Sequence, residues 1–242
     1  MFMIVSLTIF FYLWYNMTRD SYEHEVIFTH DNNDRKVMKM PTDTFFNLPV
    51  EKRERIIEAA IDEFSRYSFH KARVTAIADN AGIAKGSFYQ YFEDKKDLYK
   101  YLMEIIAEKK LSYINKDMLM NREKYGFFQL LREVFLSGIR FAKENPRLVP
   151  IGEMLVADKD LLSELYGEHR YLSSDFFKEL LEFGREKGEI DPDADLDFLA
   201  RMLSGLTYSL VDLVMEDGKI DMDDMEIYDK MLYFVENGIK KR

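Results

Sequence analysis

The chain contains no cysteine among its 242 residues. Disulfides and thiolate metal sites are therefore excluded, and the composition suits a reducing compartment such as the cytoplasm. Histidine is scarce: His24, His30, His70 and His169 fall into neither an H-x₃-H nor an HExxH spacing, so a zinc site has no support. Proline is equally sparse, with five residues, and no stretch after residue 40 alternates apolar and polar side chains with period two. Strands are not expected. No P-loop, dinucleotide fingerprint or nucleophile–base pair occurs, so neither an enzyme nor a cofactor is expected.

What is abundant is acid. The formal charge is −10, which at first sight argues against nucleic acid, but the distribution counts for more than the sum. Between Met40 and Lys100 ten Lys/Arg face ten Asp/Glu, whereas residues 101–242 carry twenty against twenty-nine. A neutral head on an acidic body is the arrangement that lets the head meet DNA while the body is repelled.

The one long apolar run is Met1–Tyr15, MFMIVSLTIFFYLWY. It is shorter than the roughly 20 residues that span a bilayer, and it lacks a basic flank and an A-x-A cleavage site. Three readings stand for residues 1–39: a start codon assigned too early, with translation beginning at Met40 or Met38; a short membrane anchor; or a segment packed on the domain. The first is favoured, because MPTDTFFNLPVEKRERI reads as an ordinary beginning before a first helix. A membrane partner is not expected. Asn16–Lys39 is polar and aperiodic, and the sequon Asn16-Met17-Thr18 has no meaning inside a cell.

From Pro49 onward the pattern is helical, and the expected fold is all-α with about nine helices. The first runs from Pro49 to Tyr67, with Ile57, Ala60, Ile61 and Phe64 on one face. Val74–Ala81 is a short second helix, closed by Gly82 as a left-handed cap. Lys85–Tyr91 is the third. The fourth opens at Asp94, where Asp97 resembles the second half of a capping box, and runs to about Asn115. Further helices are expected at Phe127–Glu144, Leu148–Val156, Lys159–Lys187, Asp195–Glu216 and Met222–Lys240, punctuated by Asn145-Pro146, Gly188, Asp191-Pro192 and Asp217-Gly218. Asp191, Asp193 and Asp195 imitate a calcium loop, but Leu196 and Met202 stand where such a loop needs Gly and Glu, so that reading is rejected.

Two short helices joined by a tight glycine turn form a helix-turn-helix at about residues 72–91. Its second helix would enter the major groove. Ile83, Phe88 and Phe92 supply a buried side. Lys85, Gly86, Ser87, Tyr89 and Gln90 supply an outward one. Gly86 allows close backbone approach; Gln90 can pair with adenine and Ser87 with several base edges. Lys85, Tyr89 and Lys95 suit phosphates, the last from the first turn of the fourth helix.

The run AAIDEFSRYSFHKARVTAIADNAGIAKGSFYQYFEDKKDL resembles the N-terminal domain of the TetR/AcrR family of transcriptional regulators. Ala60, Phe64, Ile77-Ala78, Ala81-Gly82-Ile83, Lys85-Gly86-Ser87-Phe88-Tyr89, Tyr91-Phe92, Lys95 and Leu98 fall on that family's pattern. Three positions depart from it. Ser68 replaces the usual glycine after the first helix, Ala72-Arg73 the usual capping Thr or Ser, and Ala84 the usual Ser before the recognition helix. Arg73 is a candidate substitute phosphate contact.

The resemblance implies residues 40–101 as a DNA-binding domain and residues 102–242 as an effector-binding and dimerisation domain. It also implies a homodimer on a palindromic operator, with a small-molecule effector causing release. Leu203, Leu206, Leu210, Leu213, Tyr228, Met231, Leu232 and Val235 form apolar stripes suited to a four-helix interface between subunits. Phe128, Phe135, Ile139, Met154, Tyr166, His169, Phe176, Phe177 and Tyr208 are pocket candidates. Their aromatic and methionine character would suit an apolar effector. Two alternatives remain open: a membrane-tethered sensor regulator, and a ligand-binding dimer without DNA binding.

Overall fold

A computed structural model describes residues 41–166, 173–214 and 226–239; the side chains of Leu119, Tyr166, Ser173, residues 207–214 and 226–228, and Ile239 lie outside the description. The readings of residues 1–39 fall outside it too. The described chain holds twelve α-helices and no β-strand: α1 Asp43–Phe46, α2 Val50–Arg66, α3 Val74–Ala81, α4 Lys85–Tyr91, α5 Lys95–Leu111, α6 Lys116–Met120, α7 Phe127–Glu144, α8 Val149–Ala157, α9 Lys159–Tyr166, α10 Ser173–Glu186, α11 Leu196–Val214 and α12 Glu226–Ile239. The all-α expectation holds. The count exceeds nine because α1 and α6 are single turns without readable periodicity, and because the span 159–187 divides into α9 and α10.

The described residues 41–105 form one compact unit. α2 buries Ile56, Ala59, Ala60, Ile61 and Phe64, a face centred one residue before the expected one, so that Ile57 is only half-buried. This face packs on α3, whose buried side is Ile77, Ala78 and Ala81. Gly82 ends α3 at φ +66°. Its N–H donates to the Asp79 carbonyl and that of Ile83 to the Ala78 carbonyl, the paired bonds of a Schellman cap. Phe88, Phe92, Leu98, Tyr99 and Leu102 complete the core. Before α5, Asp94 Oδ1 accepts the Asp97 N–H at 2.9 Å, and Asp97 Oδ2 accepts the Glu93 N–H at 3.1 Å. The expected capping box is thus present, with its return bond shifted to the residue before Asp94.

The residues from Ile106 form a second unit. α7 packs on α10 and α12, and α10 forms a hairpin with α11. Phe127, Leu131, Phe135, Phe177, Leu181, Ile190 and Leu203 are fully or nearly buried there. α10 approaches α7 closely at Gly184, where a Cβ would lie 2.8 Å from Phe127 Cβ and 2.9 Å from Ile190 Cγ1. Gly188 closes α10 at φ +72°, and the turn returns Glu189 to accept the Phe127 N–H at 3.1 and 3.2 Å. This carboxylate satisfies an orphan donor at the start of α7. Asp191 accepts the Asp193 N–H and Asp195 accepts the Phe198 N–H, so these aspartates form a turn and a helix cap.

Candidate nucleic-acid interface

α4 is seven residues long and positioned from three sides. Phe88, Tyr91 and the following Phe92 are buried. Phe45 of α1 sits against Phe92 at 5.0 Å and Tyr91 at 6.3 Å between ring centroids. Thr42 Oγ1 donates to the Gln90 carbonyl at 2.7 Å, and the Thr42 N–H to the Tyr91 carbonyl at 3.0 Å. The end of α4 is therefore tied to the segment before α2 by two hydrogen bonds and a ring cluster. Sequence reasoning missed this strap, although Thr42 and Phe45 lie in a short apolar island ahead of Pro49.

The opposite side of α4 is open. Lys85, Gly86, Tyr89 and Gln90 are exposed, Tyr89 at 51%, and Ser87 is half-buried. A Cβ built at Gly86 meets nothing within 4 Å, so neither the fold nor a positive φ demands glycine there. Arg73 is exposed at the cap position of α3. All six of these residues keep access to solvent, and five of them belong to one helical turn and a half.

Lys95 is placed differently. Its ammonium turns inward and donates to the carbonyls of Phe69 at 2.5 Å, Ala72 at 2.9 Å and His70 at 3.5 Å. It also lies 4.5 Å from the Phe69 ring centroid. Burial lowers its pKa from the ordinary lysine value, opposed by the charge of Glu63. The group expected on a phosphate is here a brace for the turn ahead of α3. Glu63, itself buried on α2, accepts the Arg73 N–H at 2.8 Å. Neither Arg73 nor Ala84 gives a side-chain cap to its helix. The missing Thr or Ser is offset by Glu63 and Lys95, which hold the backbone on either side of Ala72.

Of the pocket candidates, Phe135, Ile139, Phe176 and Phe177 are buried. Phe135 and Phe177 stack at 6.3 Å. Phe128 and Met154 are half-buried. The side chains of Tyr166 and Tyr208, and all of His169, lie outside the described residues. Of the interface candidates, Leu203, Met231, Leu232 and Val235 are buried within a single chain, and Leu206 is half-buried; the side chains of Leu210, Leu213 and Tyr228 lie outside the description. The buried four are core of the protomer and offer a partner little area. What α11 and α12 do expose is Phe198 at 58%, Met202 at 47%, Tyr233 at 70% and Phe234 at 66%. The signal for this face was in the sequence: Phe198 and Met202 are four apart, and Tyr233-Phe234 falls between the buried positions of its helix.

A short helix with an apolar back, a polar front and a capped glycine turn ahead of it defines a helix-turn-helix unit of the kind that binds duplex DNA. Residues 56–102 match the bacterial regulatory proteins of the tetR family. A TetR family transcriptional regulator from Chloroflexus aurantiacus J-10-FL is 31% identical, with 84% of this chain and 100% of that one covered at a TM-score of 0.63. The probable acrEF/envCD operon repressor of Escherichia coli K12 is 22% identical over 193 residues, 78% of this chain and 85% of that one. The HTH-type transcriptional regulator UidR of the same strain is 26% identical over 180 residues, 68% of this chain and 83% of that one. The chain belongs to the tetR family of bacterial regulatory proteins and is a DNA-binding transcriptional regulator.

Proposed function

We propose that the protein is a dimeric repressor that occupies a palindromic operator through two copies of α4 and leaves it when a small molecule binds the second unit. The observation that carries this reading is the outward face of α4, where Lys85, Gly86, Ser87, Tyr89 and Gln90 are held by a buried apolar back and left without a structural task. Gln90 and Ser87 read base edges, Gly86 admits the helix deep into the groove, and Lys85, Tyr89 and Arg73 hold phosphates. The name of the Escherichia coli operon repressor supports repression as the sign of control. Such a regulator works in the cytoplasm, where the chromosome lies. Among the described residues no helix is long and apolar enough to cross a membrane.

Arg73→Ala tests the phosphate assignment. It weakens binding about equally on operator and unrelated duplex, and the slope of log K against log salt becomes shallower by roughly one contact. Titrations at several salt concentrations measure this; an unchanged slope removes Arg73 from the interface.

The second copy docks on the exposed face of Phe198, Met202, Tyr233 and Phe234. Each of the last two described helices leaves two large apolar side chains exposed, and a second copy related by a twofold axis can cover them. Phe234→Glu places a charge in that interface and converts dimer to monomer at micromolar concentration, read by analytical ultracentrifugation. Operator affinity falls with it, because a lone head loses the second half-site. A variant that remains dimeric puts the interface elsewhere.

A further inference from the structure

The helix α4 is poorly finished by its own sequence. The last four carbonyls of a helix have no partner within it, and a glycine cap or a basic last turn ordinarily serves them. α4 has neither. Phe92 follows it in extended conformation at φ −132°, and its last turn holds no basic residue. Glu93 and Asp94 come next, negative charges at the negative end of a helix. The Phe88 carbonyl accepts the Phe92 N–H at 3.0 Å. The Gln90 and Tyr91 carbonyls are served from outside, both by Thr42.

Thr42 is set apart by what its hydroxyl leaves undone. It occupies the N-cap position of α1, where a threonine ordinarily accepts an N–H of the first turn. No side-chain cap forms there. The hydroxyl instead donates to the Gln90 carbonyl at 2.7 Å, while the main-chain N–H donates to the Tyr91 carbonyl at 3.0 Å. The donor is itself anchored. Phe45, on the same short helix, is buried and lies against Tyr101 at 5.6 Å between ring centroids, as well as against Phe92 and Tyr91. Arg53 of α2 donates to the Phe46 carbonyl at 3.2 Å. The Lys52 ammonium, also on α2, lies 5.8 Å from the centroid of the Tyr91 ring.

We propose that Thr42 is a positioning residue for sequence reading: its hydroxyl sets the last turn of α4 and thereby the direction in which Gln90 meets a base edge. The inference rests on the reading of α4 as the helix that enters the groove, and it gives a residue outside the helix-turn-helix a share in specificity. The main-chain bond from Thr42 survives any change of its side chain, so α4 stays in place. What the hydroxyl adds is the orientation of the peptide that carries Gln90. A bidentate contact to adenine needs both amide atoms at hydrogen-bond distance at once, and a long side chain magnifies any tilt of its backbone. Phosphate contacts by Lys85 and Arg73 start from the other end of α4 and from the start of α3. They carry no sequence information and do not depend on that turn.

The test uses the full-length protein. Duplexes are selected with it from a randomised pool, and fluorescence anisotropy then gives its affinity for the selected duplex and for an unrelated one. Thr42→Val keeps the shape and the main-chain bond and removes the hydroxyl. It lowers affinity for the selected duplex roughly tenfold, and leaves affinity for the unrelated duplex and the slope against salt unchanged. Thr42→Ser retains the donor and the wild-type preference. In a Gln90→Ala background Thr42→Val costs nothing further, because the side chain it positions is gone. Four results overturn the proposal: a valine variant that binds the selected duplex as the wild type does, one that loses both duplexes alike and so marks Thr42 as structural, a serine variant without the preference, or losses that add in the double variant. The reading of α4 is scored separately. If the wild type selects no sequence, that reading and the proposal fall together. If it selects one and Thr42→Val leaves the preference intact, the reading stands and the proposal falls.

Discussion

Gly86→Glu raises the melting temperature of the protein slightly and reduces operator binding by roughly a hundredfold or more. The two effects have separate origins. Gly86 is the second residue of α4, and a Cβ there meets open space. Replacing a helical glycine gains up to about 1 kcal/mol from backbone entropy, and an acidic side chain in the first turn adds a favourable interaction with the positive helix end. In the complex the same carboxylate faces the phosphates. Like charges forced together across an interface cost several kcal/mol, and each 1.4 kcal/mol is a factor of ten. Gly86→Ala separates sterics from charge: it shares the entropic gain and loses only the close approach, so its affinity falls between the two. Fluorescence anisotropy on a labelled operator, with thermal denaturation of the same samples, gives both readouts. An undiminished affinity for Gly86→Glu would mean that α4 does not enter the groove.

How far the sequence foretold this arrangement depends on what kind of force fixes each residue. Helices whose ends are set by local chemistry were legible. α3 and α4 have the expected bounds because Gly82 must terminate one and the Ala84 position begins the other. α7 has the expected bounds and ends before Asn145-Pro146, a readable break. The Asp94 and Asp97 pair was visible at its spacing, and only the target of the return bond differed. Residues fixed by distant partners were not legible. Thr42 reaches a carbonyl 48 residues away, and nothing near it in the chain announces that contact.

The apolar stripes of α11 and α12 show a second limit. Periodicity tells which side of a helix is greasy, not what covers it. Leu203, Met231, Leu232 and Val235 fit an interface and a core equally well as a pattern, and in the fold they pack inside one chain. The exposed Phe198, Met202, Tyr233 and Phe234 lay on the less regular face and drew no attention for that reason. Charged residues inside apolar stripes are a third case. Glu63 and Lys110 are charged yet buried, and in the fold Glu63 accepts a backbone N–H while Lys110 lies against an aromatic ring. A charge at a core register position is a question about its partner, and only the fold can name that partner.

Lys95 is the residue for which the two levels of reading give opposite outcomes, and Lys95→Met decides between them. As a phosphate contact on the surface, it could be removed with little effect on stability, and the salt slope of DNA binding would drop by roughly one contact. As a brace, it holds the carbonyls of Phe69, His70 and Ala72 and offsets the charge of the buried Glu63. Methionine keeps the length and the contact with Phe69 but donates nothing. Hydrogen bonds to a charged group contribute about 1.5–3 kcal/mol in net terms. Glu63 is then left as a buried acceptor whose remaining partner is the Arg73 N–H. The turn before α3 loosens, and with it the start of the helix-turn-helix. The expected outcome is local: amide hydrogen exchange in Val74–Tyr91 accelerates by roughly ten- to a hundredfold, while the amides of α7 and α10 exchange as before. Lys95→Arg restores part of the protection, since guanidinium donors can reach at least one carbonyl. Unchanged exchange together with a shallower salt slope would return Lys95 to the DNA backbone and leave the turn to Glu63 alone.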